Sequence, residues 1–278
     1  MKKLFDELSY EVSKSTTCKY STSFSLGILA LKQSIRPAVY AIYGFVRLAD
    51  EIVDSFHDHD KKTLLSRFKN DTALALKENI SLNPILQSFQ QTVHEYQIDP
   101  GLIESFLISM EMDLHQIYYD DEQYKKYIFG SAEAVGLMCL QVFTSGIKDK
   151  YEELKPYAMK LGSAFQKVNF LRDMKDDYKN LGRTYFPNID MSVFNNDVKC
   201  EIEKEIEAEF KEALTGIKRL PNTSRFGVYL AYKYYLSLFK KIKATPAQKI
   251  LSQRIRIPNT QKMNVMLRSY VLYKIAML

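Results

Sequence analysis

Apolar residues recur every three or four positions through most of the chain, and the eight prolines fall near the edges of those runs. That is the spacing of buried helix faces with helix-ending punctuation. The pattern predicts helices at about 4–15, 36–56, 60–78, 82–95, 100–119, 122–146, 150–180, 193–219, 223–242, 246–253 and 262–276. No alternating apolar and polar series of the kind a half-buried strand requires competes with them. Neither an internal repeat, nor a low-complexity tract, nor a linker rich in Ser, Gly and Pro divides the chain, so one all-α domain over residues 1–278 is expected. Residues 132–143, AEAVGLMCLQVF, have almost no polar face, which puts them at the centre of a bundle or along an apolar cavity. The stretch LGRTYFPNID after the 150–180 helix is the clearest irregular segment.

With 46% hydrophobic residues in 278, the chain has ample material for a continuous core. Its 39 basic and 33 acidic residues leave a formal charge of +6. That suits anionic ligands or an anionic membrane surface but does not require nucleic acid as a partner. The N-terminus opens with Lys2 and Lys3 but has no apolar signal-peptide core, and no long uncharged apolar run occurs elsewhere, so a cytoplasmic location is expected. Cys18, Cys139 and Cys200 are odd in number and outside any CxxC spacing. This argues against a disulfide framework and against zinc, leaving reduced, mostly structural thiols.

One helix breaks the local rules. NFLRDMKDDY, residues 169–178, places Asn169, Asp173, Asp176 and Asp177 inside the 150–180 helix, at a propensity cost of about 2–3 kcal/mol relative to Ala. Repeated local violations of this kind mark sites. Positions four apart lie on one helix face, about 6 Å apart along the axis, so Asn169, Asp173 and Asp177 form a stripe with Gln166 one turn earlier. VRLADEIVD repeats the device with Asp50 and Asp54, preceded by Arg47 and accompanied by Glu51. Like charges four apart destabilise an isolated helix, which asks for a cation. Three readings compete: a solvated acidic face paired with lysines, a di-metal carboxylate bundle, or hard oxygen ligands for Mg²⁺ shared with substrate phosphates. The apolar sequence around both stripes weakens the first. The second needs Glu-x-x-His on two helices, and the nearest approach is Asp54-x-x-His57.

RLADEIVD together with GSAFQKVNFLRDMKDDYKNLGRTYFP resembles the two aspartate-rich signatures of the squalene and phytoene synthase family. Three further segments are similar: YSTSFSLGIL (20–29), AVGLM (134–138) and YYLSLFKKI (234–242). The resemblance covers roughly residues 15–265, and it is most like a bacterial phytoene synthase. It implies an all-α isoprenoid-synthase bundle around a deep apolar cavity. The implied reaction joins two allylic prenyl diphosphates through a cyclopropyl diphosphate to a linear hydrocarbon. Asp50, Asp54, Asp173 and Asp177, with Asn169, become the implied ligands of Mg²⁺, or Mn²⁺ in its place, and Gln166 a metal or diphosphate partner. Arg47, Arg172 and Arg183 match family positions for the diphosphate, with Lys262 a further candidate and Ser21 near the diphosphate. Phe24, Tyr43, Tyr127, Tyr185 and Tyr235 match cavity positions, where aromatic faces stabilise a carbocation.

The resemblance implies C20 geranylgeranyl diphosphate as substrate and phytoene as product. The alternatives are a C15 reaction giving squalene or dehydrosqualene, with NADPH needed only for squalene, and a non-catalytic assembly relative. A terpene cyclase or chain-elongating prenyltransferase would show its aspartates in other surroundings. Phe24, Leu26 and Met138 are candidates for setting chain length. Two departures from the family pattern stand out: Glu51 where many relatives carry Asp, and Lys167 inside FQKVNF where relatives often carry an apolar residue. Lys167 is expected either to bind diphosphate or to face outward. No C-terminal apolar anchor is apparent, and peripheral attachment to a membrane is expected because substrate tail and product are lipids.

Overall fold

The computed structural model describes residues 1–115, 118–181, 184–187, 189 and 193–275. Its helices are α1 (Lys2–Tyr20), α2 (Thr22–Leu29), α3 (Arg36–Asp54), α4 (Lys61–Glu78), α5 (Pro84–Tyr96), α6 (Pro100–His115), α7 (Asp121–Ile128), α8 (Ala134–Phe143), α9 (Lys148–Leu181), α10 (Asn196–Arg219), α11 (Arg225–Lys243), α12 (Ala247–Ile250) and α13 (Asn259–Ile275). A π-helical turn, Phe129–Glu133, joins α7 to α8 without a break, so the three together are the predicted 122–146 helix. Every predicted helix is present, with ends moved by a few residues. Among the described residues there is no strand, only an isolated bridge between Tyr118 and Thr184.

Local chemistry explains the boundaries. Asp60, Asn83 and Asn195 accept backbone N–H bonds at the starts of α4, α5 and α10, and Asp120 forms a reciprocal capping box with Gln123 at α7; each such cap contributes about 1 kcal/mol. The addition to the expected pattern is α2. Ser21 turns extended, ends α1, and its hydroxyl accepts the Phe24 N–H at 3.2 Å. The eight residues that follow, TSFSLGIL, are too few to show a period.

Two apolar clusters hold the bundle. In the first, built mainly on α3–α6 and α8, Phe45 stacks face to face on Phe89 at 3.8 Å and meets Phe68 and Phe106 at 5.5 Å. The second gathers α9–α12 around Phe210 and Phe239. The π turn is wedged in place by glycine: a Cβ at Gly130 would lie 2.3 Å from the Ser105 carbonyl oxygen on α6, and one at Gly162 on α9 would lie 2.8 Å from that of Ala132. Helix backbones therefore touch on both sides of the turn. Cys18 and Cys200 are exposed rather than structural, while Cys139 is half-buried; burial pushes its thiol up to about 12. Among the described residues, no helix is long and apolar enough to cross a membrane.

Candidate active site

A cavity of about 990 Å³ opens between α2, α3, α8, α9 and α11. One face of α9 lines it from end to end: Leu154, Ala158, Leu161, Phe165, Asn169, Asp173 and Asp177 follow one another at three- and four-residue spacing. From Leu154 to Asp177 is 23 positions, about 34 Å along a helix. The far half is apolar, the aspartates of α9 border the other end, and Asp50 and Asp54 of α3 line the same cavity.

Of the residues singled out from the sequence, Ser21, Phe24, Tyr43, Arg47, Asp50, Asp54, Tyr127, Gln166, Asn169, Arg172, Asp173, Asp177, Tyr185, Tyr235 and Lys262 all border this cavity. Arg183 lies outside the described residues. Leu26 and Met138 do not line the cavity; Met138 is wholly buried in the core instead. His57 is 3.1 Å from Lys61 Nζ and is not part of the lining, so the di-metal bundle reading has no histidine to stand on. The solvated-face reading captures only part of the arrangement: Asp54 is exposed and Asp50 keeps 37% side-chain exposure, but both stripes line the cavity.

The carboxylates are held by guanidinium groups. Arg47 Nη1 donates to Asp50 Oδ2 at 2.6 Å, its Nε donates to Glu51 Oε2 at 3.1 Å, and its plane lies 4.3 Å over the Tyr20 ring. Arg172 Nε donates to both oxygens of Asp173 at 3.0 Å, and Arg254 Nε reaches Asp173 Oδ1 at 2.7 Å. Among the described residues, no three carboxylates, imidazoles or thiols converge to hold an ion by themselves. The donor set nevertheless fits Mg²⁺, which takes one or two carboxylates and completes its shell with water and phosphate oxygens. Negative charge is also concentrated here: burial, then Asp54 one turn further along α3, push Asp50 up to about 7, against the pull of Arg47. Asp50 keeps 37% side-chain exposure, on the lining of the half-open cavity.

The raised Asp50 value carries a sign. The folded state holds a proton there that the unfolded chain has lost above the ordinary carboxylate range near 3.8, so stability falls as pH rises from about 4 to about 7 and stays lowered above that. Glu133, also raised to about 7 by burial and then Glu209, acts in the same direction. In EDTA at pH 8, Asp50→Asn is therefore expected to melt above the wild type. The gap should close as pH falls toward 5, which melting curves at the two pH values would check. A gap independent of pH would dissociate the effect from this proton.

Below the carboxylates lie two aromatic groups. Phe24 sits 5.7 Å from Tyr43 and 5.9 Å from Tyr235, and Tyr235 stacks on Phe165 at 3.8 Å. The Tyr235 hydroxyl donates to Asn169 Oδ1 at 3.3 Å, and Asn169 Nδ2 donates to Gln166 Oε1 at 3.3 Å. Burial raises the hydroxyls of Tyr43, to about 12, and of Tyr235, so both stay protonated. The second group surrounds Asp113 on α6: Tyr127 donates to it at 2.8 Å, Tyr185 at 3.3 Å and Tyr119 at 3.4 Å, while Phe170 stacks on Tyr185 at 4.1 Å. Asp113, Phe165 and Arg254 are cavity residues the sequence reading missed. Asp113, two places after Glu111 in SMEMDL, carries no local signal, and Arg254 sits in a non-helical segment with no spacing to mark it.

Lys167 does neither of the things expected of it. It is buried away from the cavity, 2.6 Å from Glu205 Oε1 and 2.8 Å from Glu209 Oε1 on α10. Its neighbour Ser163 donates to the same Glu209 oxygen at 2.9 Å.

Residues 17–261 match the squalene/phytoene synthase family model. A 4,4'-diapophytoene synthase of Staphylococcus haemolyticus is 26% identical, the match covering 72% of this chain and 69% of that protein. A 15-cis-phytoene synthase of Synechocystis is 27% identical, covering 92% and 83%. Among solved structures, a dehydrosqualene synthase in complex with ligand superposes with a TM-score of 0.82 at 19% identity over 97% of this chain and 98% of that one. A squalene synthase of Alicyclobacillus acidocaldarius gives a TM-score of 0.73 at 19% identity, covering 85% and 93%.

Proposed function

Because the chain belongs to the squalene/phytoene synthase family and so is a prenyltransferase of the head-to-head type, we propose that it condenses two geranylgeranyl diphosphates to phytoene. Each of the two steps, formation of the cyclopropyl diphosphate and its rearrangement to the hydrocarbon, releases one diphosphate and one proton. The observation that supports the reading is that both aspartate stripes and a long apolar face of α9 line one cavity.

In this proposal Asp50, Asp54, Asn169, Asp173 and Asp177 hold Mg²⁺ or Mn²⁺, which when bound supplies Lewis-acid neutralisation of the departing diphosphate. Gln166 orients Asn169 through their hydrogen bond. Arg47 and Arg172 offer paired N–H donors to phosphate oxygens, Arg254 pairs with Asp173, and Lys262 lines the same cavity. Ser21 contributes its hydroxyl nearby. The faces of Phe24, Tyr43, Phe165 and Tyr235 flank the path of the carbocation, each worth about 0.5–2 kcal/mol to a desolvated cation. Tyr127 and Tyr185 keep the other wall in position by anchoring to Asp113, and the apolar far half excludes water that would quench the cation.

The length of cavity available along α9 supports a C20 tail, as does the near-complete coverage by the cyanobacterial phytoene synthase. A C30 reading, from farnesyl diphosphate to dehydrosqualene, has its own support in the staphylococcal relative. We place the enzyme in the cytoplasm. A product assay separates the readings: purified protein with Mg²⁺ and either diphosphate, with and without NADPH, followed by mass analysis. A C40 hydrocarbon formed without NADPH is the expected result. A C30 product would move the substrate, a requirement for NADPH would mean squalene, and no product from either diphosphate would favour a non-catalytic relative.

A further inference from the structure

Charge is unevenly distributed along this chain. Glu212 is its last acidic residue, and residues 213–278 contain 13 Lys and Arg with no Asp or Glu, whereas residues 1–212 hold 26 basic and 33 acidic residues. Lys240, Lys241, Lys249, Arg256 and Arg268 are exposed on this segment. So is a ridge on α13. That helix packs on α11 through one side, with Ser269 buried and Tyr273 against Phe226 at 4.8 Å. On the other side Met263, Leu267, Val271 and Ile275, each four residues from the next, are between 46% and 76% exposed. Single exposed apolar residues need no account, but a continuous ridge of them beside clustered basic residues marks an interaction surface.

We propose that α13 and the basic segment leading into it dock on an anionic lipid bilayer, with the ridge seated at the boundary between headgroups and acyl chains. Apolar side chains flanked by Lys and Arg are the composition of an interfacial helix, and basic clusters are drawn to anionic headgroups. A second copy of this chain fits worse: a two-fold contact brings the same patch against itself, here basic against basic. The ridge also continues into the site, since Arg256, Ile257 and Lys262, just before and at the start of α13, line the cavity. Docking brings that edge of the cavity against the lipid, where a prenyl tail or a hydrocarbon passes without crossing water. The surface itself stands on exposure and charge; only this purpose rests on the prenyl diphosphate reading.

The test uses the full chain without substrate. Flotation with vesicles of phosphatidylcholine, alone or mixed with phosphatidylglycerol, is expected to show binding only to the anionic mixture, weakening as salt is raised. Leu267→Asp with Val271→Asp should bind at least about tenfold more weakly, and Arg268→Glu measurably so. The ridge variant should keep its helical spectrum and its turnover of detergent-dispersed substrate, because both positions are outside the cavity. Undiminished binding by the ridge variant, binding indifferent to lipid charge, or no vesicle binding together with a dimer that the ridge variant splits would each overturn the proposal. Failure of the prenyl diphosphate reading would show separately, in the product assay.

Discussion

Asp173→Asn is expected to abolish turnover, lowering kcat/KM by at least about 10³-fold, with the helical circular-dichroism spectrum unchanged. Charge neutralisation at a departing diphosphate is worth several kcal/mol, and each 1.36 kcal/mol is about tenfold in rate. Asp173 is the carboxylate on which both Arg172 and Arg254 converge, so it sits where cationic groups gather. The Asn side chain keeps its shape and removes its charge. A second readout separates ion binding from folding: Mg²⁺ with inorganic diphosphate should raise the melting temperature of the wild type by linkage, and should not raise that of Asp173→Asn. A variant that turns over near the wild-type rate, or that gains the same thermal shift, would remove Asp173 from the ligand set.

The largest effect on stability is expected from a residue outside the cavity. Lys167→Ala strands Glu209, which is 7% exposed and whose Oε2 has no hydrogen-bond partner. The remaining contacts are Ser163 at 2.9 Å and Lys160 at 3.7 Å. Breaking a buried pair from one side costs about 3–5 kcal/mol, which corresponds to a fall in Tm on the order of 10 °C for a domain of this size. Replacing both partners, Lys167→Leu with Glu209→Leu, should recover most of the loss, since Glu205 is already 57% exposed and needs no buried cation. Thermal melts of the single and double variants check this. Equal destabilisation in both would mean that the pair contributes through packing rather than charge. The single variant, assayed well below its Tm, should keep near-normal kcat/KM, because Lys167 does not reach the cavity.

The elements that could be read from the sequence are those whose signal is local. Apolar spacing gave eleven helices because each buries one face, and the two aspartate stripes stood out because Asp and Asn are poor helix formers amid apolar neighbours. What escaped was set by tertiary contact. Lys167 reads as a cation near the site until α10 supplies Glu205 and Glu209 from about forty positions away. Asp113 reads as an ordinary helix residue until tyrosines from three other parts of the chain donate to it. Both α2 and Arg254 lacked a period: the first because it is only eight residues long, the second because its segment is not helical.

The π turn between α7 and α8 has a consequence for chain length rather than chemistry. A single π turn amounts to one residue inserted into an α-helix, and each residue turns a helix by about 100°. The wide turn takes up that rotation locally, so α7 and α8 keep the facings of a regular helix one residue shorter. Deleting Ser131 should therefore let residues 121–143 close into regular α-helix with Val135, Gly136, Cys139 and Phe143 still on the cavity wall. The same deletion inside α8, with no wide turn to absorb it, would rotate every later wall residue by about 100°, so the turn is where this rod tolerates a change of length.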